Sequence, residues 1–192
     1  MKRAPLVIAL AACAVVLPIG SSAVAATLPV CSVNPETRGE TLCATVRPPR
    51  AWAKASAYGA SGYPIPRPRD GEVLRPLALQ SIRVTKPDRI DEGECGTQVV
   101  VDARYRGGGK TLLYEYVEDD CGGFQATRAG ETPVTVPGAT VALASRSGGA
   151  NVLMWTRASR ADITAGAMIG TLMLRSSTLS QARLQEIAAT IR

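Results

Sequence analysis

The stretch from residue 97 to residue 117 most constrains what this chain can fold into. Residues 97–106 ("TQVVVDARYR") place Val99, Val101, Ala103 and Tyr105 on one side of an extended strand, and Val100, Asp102, Arg104 and Arg106 on the other. An apolar and a polar face that repeat every second residue are typical of an antiparallel strand with one solvated face. Three glycines at 107–109 supply a turn, and "KTLLYEYV" returns as a second strand. The pattern predicts a β-hairpin.

Further strand-like segments follow the same rule on both sides of this hairpin. They are 77–85 ("LALQSIRVT"), 132–145 ("TPVTVPGATVALAS", two short strands around Pro137-Gly138), 150–157 ("ANVLMWTR") and 169–176 ("IGTLMLRS"). Short strands joined by short turns predict an antiparallel meander.

The chain ends in one amphipathic helical segment, "SSTLSQARLQEIAATIR". Its apolar stripe at the i, i+3, i+4, i+7 spacing consists of Leu184, Ile187, Ala188 and Ile191. The helix begins either with Ser180 as N-cap or with Thr178, for which Gln181 would complete a capping box. About 12 residues of helix are marginal alone, so this segment must pack on the sheet. The predicted fold class is α+β: a twisted antiparallel sheet with the C-terminal helix packed on one face.

The first 26 residues have the features of a secretory signal peptide. Lys2 and Arg3 precede an apolar run from residue 4 to residue 18, and small residues lead to an "AVAA" exit at 23–26. This predicts a secreted, periplasmic or cell-surface protein with no transmembrane span once the signal is removed. "LAAC" at 10–13 leaves open the alternative of a lipid anchor at Cys13.

Four cysteines follow the signal peptide: Cys31, Cys43, Cys95 and Cys121. An even number in an exported chain favours two disulfides, and four thiols allow three pairings. Pairing between sequence neighbours predicts Cys31–Cys43 and Cys95–Cys121. A zinc site is disfavoured because the chain lacks histidine and any C-x-x-C spacing.

Residues 44–75 are rich in Pro, Gly, Ala and Ser and show no periodicity, which predicts an irregular arm. The expected organisation is a signal peptide at 1–26, a Cys-bridged segment and Pro/Arg-rich arm at 27–75, and the α+β domain at 76–192.

The arm mixes basic and aromatic side chains, a pattern that can bind anionic polymers. The candidate partner-binding residues are Arg47, Arg50, Trp52, Lys54, Arg67 and Arg69. The alternative is a solvated tether whose aromatics rest on the domain.

The net charge of +6, or +4 without Lys2 and Arg3 (6 − 2), is too small to indicate a nucleic-acid partner. An envelope protein or an anionic surface polymer is the expected partner.

Most catalytic constellations are missing from this chain. Without histidine it can form neither a Ser-His-Asp triad nor a Cys-His dyad, and oxidised cysteines cannot serve as thiolate nucleophiles. No cofactor is expected, and a non-enzymatic protein is favoured.

Two acidic clusters suggest a calcium site made of Asp91, Glu92, Glu94, Asp119 and Asp120, if a Cys95–Cys121 bridge brings them together. The alternative is that these carboxylates are solvated loop residues.

Several segments together resemble a small extracytoplasmic domain of bacterial envelope proteins. They are "VVVDARYRGGGKTLLYEY", "VTVPGATVAL", "NVLMW" and "GTLMLRSSTLSQARLQEIAATIR". The domain occurs at the C-terminal ends of anti-sigma-factor-like and sporulation-associated proteins. The resemblance covers about residues 96–192, with Trp155 on the penultimate strand, the Leu179-Ser180 cap and the "IAATI" helix end. It implies an extracytoplasmic α+β domain and no catalytic residue.

The sequence therefore favours an exported, non-enzymatic module of the bacterial envelope that binds a partner or a polymer. One alternative is a carrier of lipids or hydrophobic ligands that uses a gap between sheet and helix. Another is a small exported hydrolase.

Overall fold

The computed structural model describes residues 26–33, 41–59, 65–69, 71–86, 97–119, 130–158 and 169–192. Nine strands and two α-helices lie in these ranges. The strands are β1 (Leu28–Val33), β2 (Thr41–Val46), β3 (Ala78–Thr85), β4 (Thr97–Gly107), β5 (Lys110–Asp119), β6 (Thr132–Pro133), β7 (Val141–Ser147), β8 (Ala150–Ala158) and β9 (Ile169–Ser176). The helices are α1 (Pro48–Gly59) and α2 (Gln181–Ala188), and a 3-10 turn spans Glu72–Leu74.

All nine strands belong to one sheet, in the order β2-β1-β3-β4-β5-β9-β8-β7-β6. Every neighbouring pair is antiparallel except β1 and β3, which run parallel. The predicted hairpin is β4–β5. Its turn residues Gly108 and Gly109 have φ of 56° and 71°, in the left-handed region that glycine adopts without strain.

The alternation predicted for β4 is confirmed. Val99, Val101, Ala103 and Tyr105 are buried on the face that carries the helices, whereas Arg104 and Arg106 are exposed on the other face. The α+β class is also confirmed: α2 packs against β8 and β9, and one face of the mostly antiparallel sheet is covered.

The start of α2 is settled in favour of Ser180. The Ser180 side-chain oxygen accepts a hydrogen bond from the Arg183 backbone N–H at 3.2 Å, as an N-cap does. The four residues of the predicted apolar stripe, Leu184, Ile187, Ala188 and Ile191, are all buried. Side-chain amides also fasten the helix to β8: Asn151 donates to the Leu179 carbonyl at 2.7 Å, and Gln181 donates to the Val152 carbonyl at 3.2 Å.

The prediction of an irregular arm is wrong over residues 48–59, which form α1. Proline is well tolerated in the first turn of a helix, so Pro48 and Pro49 start α1 instead of preventing it. Ala51, Trp52 and Ala55 form its buried stripe, and α1 packs on β1 and β3. β1 and β2 were also not predicted. β1, β2 and α1 thus share the sheet and the core of the later strands.

The arm segment at 65–69 lies along the same covered face. Arg67 and Arg192 exchange two backbone hydrogen bonds of 3.2 and 3.3 Å, and the Tyr114 hydroxyl donates to the Pro66 carbonyl. Ile65 and Pro68 are buried.

Large side chains fill the described space between sheet and helices. Those less than 2 % exposed include Trp155, Tyr114, Ile82, Leu153, Leu172, Leu174, Leu184 and Ile187. The Trp52 and Tyr114 rings meet edge to face with centroids 5.6 Å apart. α2 therefore closes a packed core.

One of the two predicted disulfides is confirmed: Cys31 and Cys43 are bonded, and they lie directly opposite each other on β1 and β2. Cys95 and Cys121 lie outside the described residues, so their pairing stays a prediction. Of the helices described here, none is long and apolar enough to cross a membrane.

Ile187→Asp should unfold the domain, because it buries an unpaired carboxylate at a position with 0 % exposure. We expect a loss of at least about 3 kcal/mol in the free energy of unfolding, measured by urea denaturation followed by circular dichroism. Ala182→Asp is the matched control, since Ala182 is exposed in the first turn of α2, where negative charge is tolerated. A folded Ile187→Asp variant with unchanged stability would contradict the docking of α2.

Candidate functional site

A pocket of about 550 Å³ opens at the end of the sheet where the β4–β5 turn meets the start of α2. Three separate parts of the chain form its walls. The segment before β3 contributes Arg75, Pro76 and Leu77, the hairpin contributes Lys110, and the β9–α2 connection with the first turns of α2 contributes Thr178, Leu179, Ser180, Ala182, Arg183 and Glu186.

Each basic side chain of the pocket is positioned by a different local structure. Arg75 ends the 3-10 turn, where its backbone N–H donates to the Glu72 carbonyl at 3.1 Å. Lys110 is the first residue after the two-glycine turn, which projects it from the end of the hairpin. Arg183 donates to the Val73 carbonyl at 2.7 Å, so it joins α2 to the 3-10 turn.

Hydroxyl groups hold the wall between β5 and α2. The Ser176 hydroxyl donates to the Thr111 carbonyl at 2.5 Å and accepts from the backbone N–H groups of Thr178 and Leu179 at 3.1 and 3.0 Å. The Thr111 backbone N–H donates to the Thr178 hydroxyl at 2.9 Å. Because Ser176 is only 3 % exposed, these bonds are shielded from water and fix the position of this wall.

The pocket carries a net positive charge. Arg75, Lys110 and Arg183 bring three positive charges, and Glu186, which forms an ion pair with Arg183, brings the one negative charge among the lining residues. The N-terminal end of α2 adds a partial positive charge. Thr178 and Ser180 are exposed at the same wall, and their hydroxyls accept from the backbone N–H groups of Thr111 and Arg183. Guanidinium, ammonium and hydroxyl groups are all hydrogen-bond donors, so the pocket is suited to an anion.

The arm residues that the sequence suggested as a binding site do not line this pocket. Trp52, expected to stack on a ligand, is 4 % exposed and belongs to the core. Lys54 lies 4.5 Å above the ring of Tyr58. The other four are exposed and apart from the pocket walls: Arg47, Arg50, Arg67 and Arg69.

The candidate calcium ligands Asp91, Glu92, Glu94 and Asp120 lie outside the described residues, as does the side chain of Asp119. Within the part of the chain that the structure describes, no three His, Cys, Asp or Glu side chains are grouped as they would be around a metal ion. Calcium binding stays a prediction.

Two carboxyl groups face each other on the uncovered face of the sheet. Asp102 on β4 lies directly opposite Glu115 on β5, and Arg83 on β3 lies opposite Asp102 on its other side. The contact between the two carboxyl groups lowers the pKa of Asp102 and raises the pKa of Glu115. The positive charges of Arg83 and Arg104 favour the charged form of Asp102.

Partial burial is the main cause that raises the pKa of both carboxyl groups. For Glu115 the negative charge of Asp102 raises the pKa further. For Asp102 the pKa is also raised, although Arg83 and Arg104 oppose the shift.

The basic pocket was not predicted from the sequence. Arg75 was assigned to the arm and Lys110 to the start of the second hairpin strand, and Arg183 lies on the polar side of the helix. These residues meet only because the start of β3, the β4–β5 turn and the end of β9 lie at the same end of the sheet. That coincidence depends on strand order, which periodicity does not reveal.

No protein-family model matches this chain, and neither a curated protein nor a solved structure is significantly similar to it. Its own geometry must therefore indicate what it does.

Glu115→Gln should stabilise the protein near neutral pH. A carboxyl group whose pKa is raised on folding contributes stability that is fully present below its unfolded pKa and is lost as the pH rises through the folded pKa. The unfolded value for Glu115 is 4.5. Glutamine keeps a hydrogen-bond donor for Asp102 but does not titrate. We therefore expect the variant's free energy of unfolding to be higher by about 0.5 kcal/mol at about pH 7 and little changed at about pH 4.

The measurement is the midpoint of thermal unfolding of both proteins between these two pH values. Gln80→Glu is a control that adds a carboxylate at an exposed position of β3. The same difference between Glu115→Gln and the unaltered protein at both pH values would contradict the raised pKa of Glu115.

Proposed function

We propose that this protein is an exported, non-enzymatic binding module that holds an anionic group of a cell-envelope polymer in the basic pocket. The observation that carries the proposal is the convergence of Arg75, Lys110 and Arg183 from three separate segments on one pocket. Isolated basic residues on a surface are ordinary. Three that line one concave site of about 550 Å³ form a place where a ligand can be enclosed.

The size and chemistry of the pocket favour a phosphate-bearing ligand larger than a single inorganic ion. Its volume lies within the range of sites that enclose small organic molecules, about 300–1,000 Å³. Arg75 can offer two parallel N–H groups to phosphate oxygens, and Lys110 adds a mobile point charge. Pro76, Leu77 and Leu179 supply apolar wall against which the carbon skeleton of a polymer unit can rest.

The lining residues favour binding over catalysis. Glu186, the carboxylate of the pocket, is paired with Arg183 and has a side-chain exposure of 57 %. Lys110 is exposed to solvent. The chain contains no histidine. Donors without an activated nucleophile or a proton acceptor hold an anion but do not transform it.

Export is supported by the signal-like N-terminus and by the Cys31–Cys43 disulfide, a bond that persists in oxidising compartments. The carrier alternative draws no support from the described sheet–helix interface, because side chains fill it.

Removal of the pocket cations should weaken the binding of a phosphate polymer. We expect Arg75→Ala and Lys110→Ala each to lower the affinity for a fluorescently labelled short polyphosphate about tenfold, since each removes a charge-assisted hydrogen bond. Fluorescence anisotropy at about 0.15 M salt, where non-specific surface attraction is largely screened, gives the dissociation constants. Both residues are exposed, so their loss should leave the fold intact.

Arg50→Ala is the matched control. It removes the same charge from an exposed position of α1, outside the pocket. A labelled polyglutamate of similar length tests whether carboxylates replace phosphates. Equal losses from Arg50→Ala and Arg75→Ala, or no measurable binding by the unaltered protein, would overturn the proposal.

A further inference from the structure

The strand β2 forms one edge of the sheet. It pairs with β1 on one side, and among the described residues no strand pairs with its other side. An edge strand presents a row of N–H and C=O groups that can pair with another strand. Whether β2 can pair with another strand therefore depends on how well its edge is protected.

Common protections of an edge are missing from β2. Its six residues, "TLCATV", include no charged residue and no proline, and they pair with β1 without a bulge. The opposite edge is different: β6 has only two residues, one of them Pro133. The disulfide between Cys31 and Cys43 also holds β2 on β1, so the unprotected edge is fixed in an extended conformation.

The side chains of β2 are sorted by face. Leu42, Ala44 and Val46 lie opposite Ser32, Val30 and Leu28 of β1, on the face that carries the helices. Val46 is packed against the core, but Leu42 is 69 % exposed beyond it. A large exposed apolar side chain on an edge strand is a surface that a second strand would cover.

We propose that β2 pairs antiparallel with β2 of a second copy of this chain, about a two-fold axis at Ala44. In this register Leu42 of each copy lies opposite Val46 of the other, and the small Ala44 side chains meet at the axis. The covered faces of the two sheets then lie on the same side, because directly opposite residues in antiparallel strands point the same way. The exposed Leu42 side chain of each copy is then covered by the other copy.

A second copy fits this edge better than an arbitrary peptide. The pairing is symmetric, so each apolar position of β2 meets an apolar position, and no like charges are brought together within the strands. Five paired residues from each copy, 42–46, give a contact smaller than a standard protein interface, so the dimer should be weak, with a dissociation constant in the range of about micromolar. The proposal uses none of the pocket residues and stands apart from the proposed function.

Sedimentation velocity of the exported chain, purified under oxidising conditions, tests the association. We expect a monomer–dimer equilibrium over the micromolar range, weakened at least tenfold by Leu42→Lys, which places a charge in the paired strand without disturbing the core. Val141→Lys is the matched control: Val141 is also apolar and exposed, at 41 %, but it lies on β7. A monomer at every concentration, or equal weakening by both variants, would overturn the proposal.

The register has a separate test by cross-linking. Opposite Cα atoms in an antiparallel pair lie about 4.5–5.5 Å apart, within the range that a disulfide spans. Ala44→Cys should therefore form a covalent dimer under mild oxidation, seen on a non-reducing gel. Thr45→Cys should not, because in this register Thr45 lies opposite Cys43, which is already bonded to Cys31. Equal cross-linking of the two variants would exclude the register at Ala44.

Discussion

Tyr114 is the residue on which the covered face of the sheet depends. It lies on β5, the middle strand of the nine, and is fully buried. Its ring meets Trp52 of α1, and its hydroxyl donates to the carbonyl of Pro66. Burial raises the pKa of the Tyr114 hydroxyl well above its ordinary value, so the group stays protonated and keeps donating. One side chain thus connects the central strand, the first helix and the 65–69 segment.

The parts of the fold that follow from short-range periodicity could be predicted from the sequence. The β4–β5 hairpin, the later strands and α2 each bury one face, and their apolar positions repeat at the spacing of a strand or a helix. α1 was missed because its stripe consists mainly of alanine, with Trp52 as its one large residue, and because flanking prolines suggested an irregular chain. β1 and β2 were missed because they are short and their pairing depends on β3, far along the chain.

The two candidate sites also differ in whether the sequence could predict them. The opposition of Asp102 and Glu115 was within reach of the sequence, since a tight turn at Gly108-Gly109 fixes the register of the hairpin and thereby the partners. The basic pocket was out of reach, because Arg75, Lys110 and Arg183 meet through strand order. Trp52 was misread for a related reason. Trp52 has the chemistry of a ligand-stacking residue, but the core uses its apolar surface.

The parallel pairing of β1 with β3 has a consequence for how the chain assembles. A ribosome delivers the chain from its N-terminus, so the Cys31–Cys43 loop, with a sequence separation of 12, is complete before β3 has been made. β1 and β2 can pair with each other early. They join the rest of the sheet only when the chain between β1 and β3 closes into a long loop, and loop closure costs conformational entropy. In an oxidising compartment the covalent link then keeps the two strands together until the loop has closed. The N-terminal hairpin can thus join the sheet as one preassembled unit.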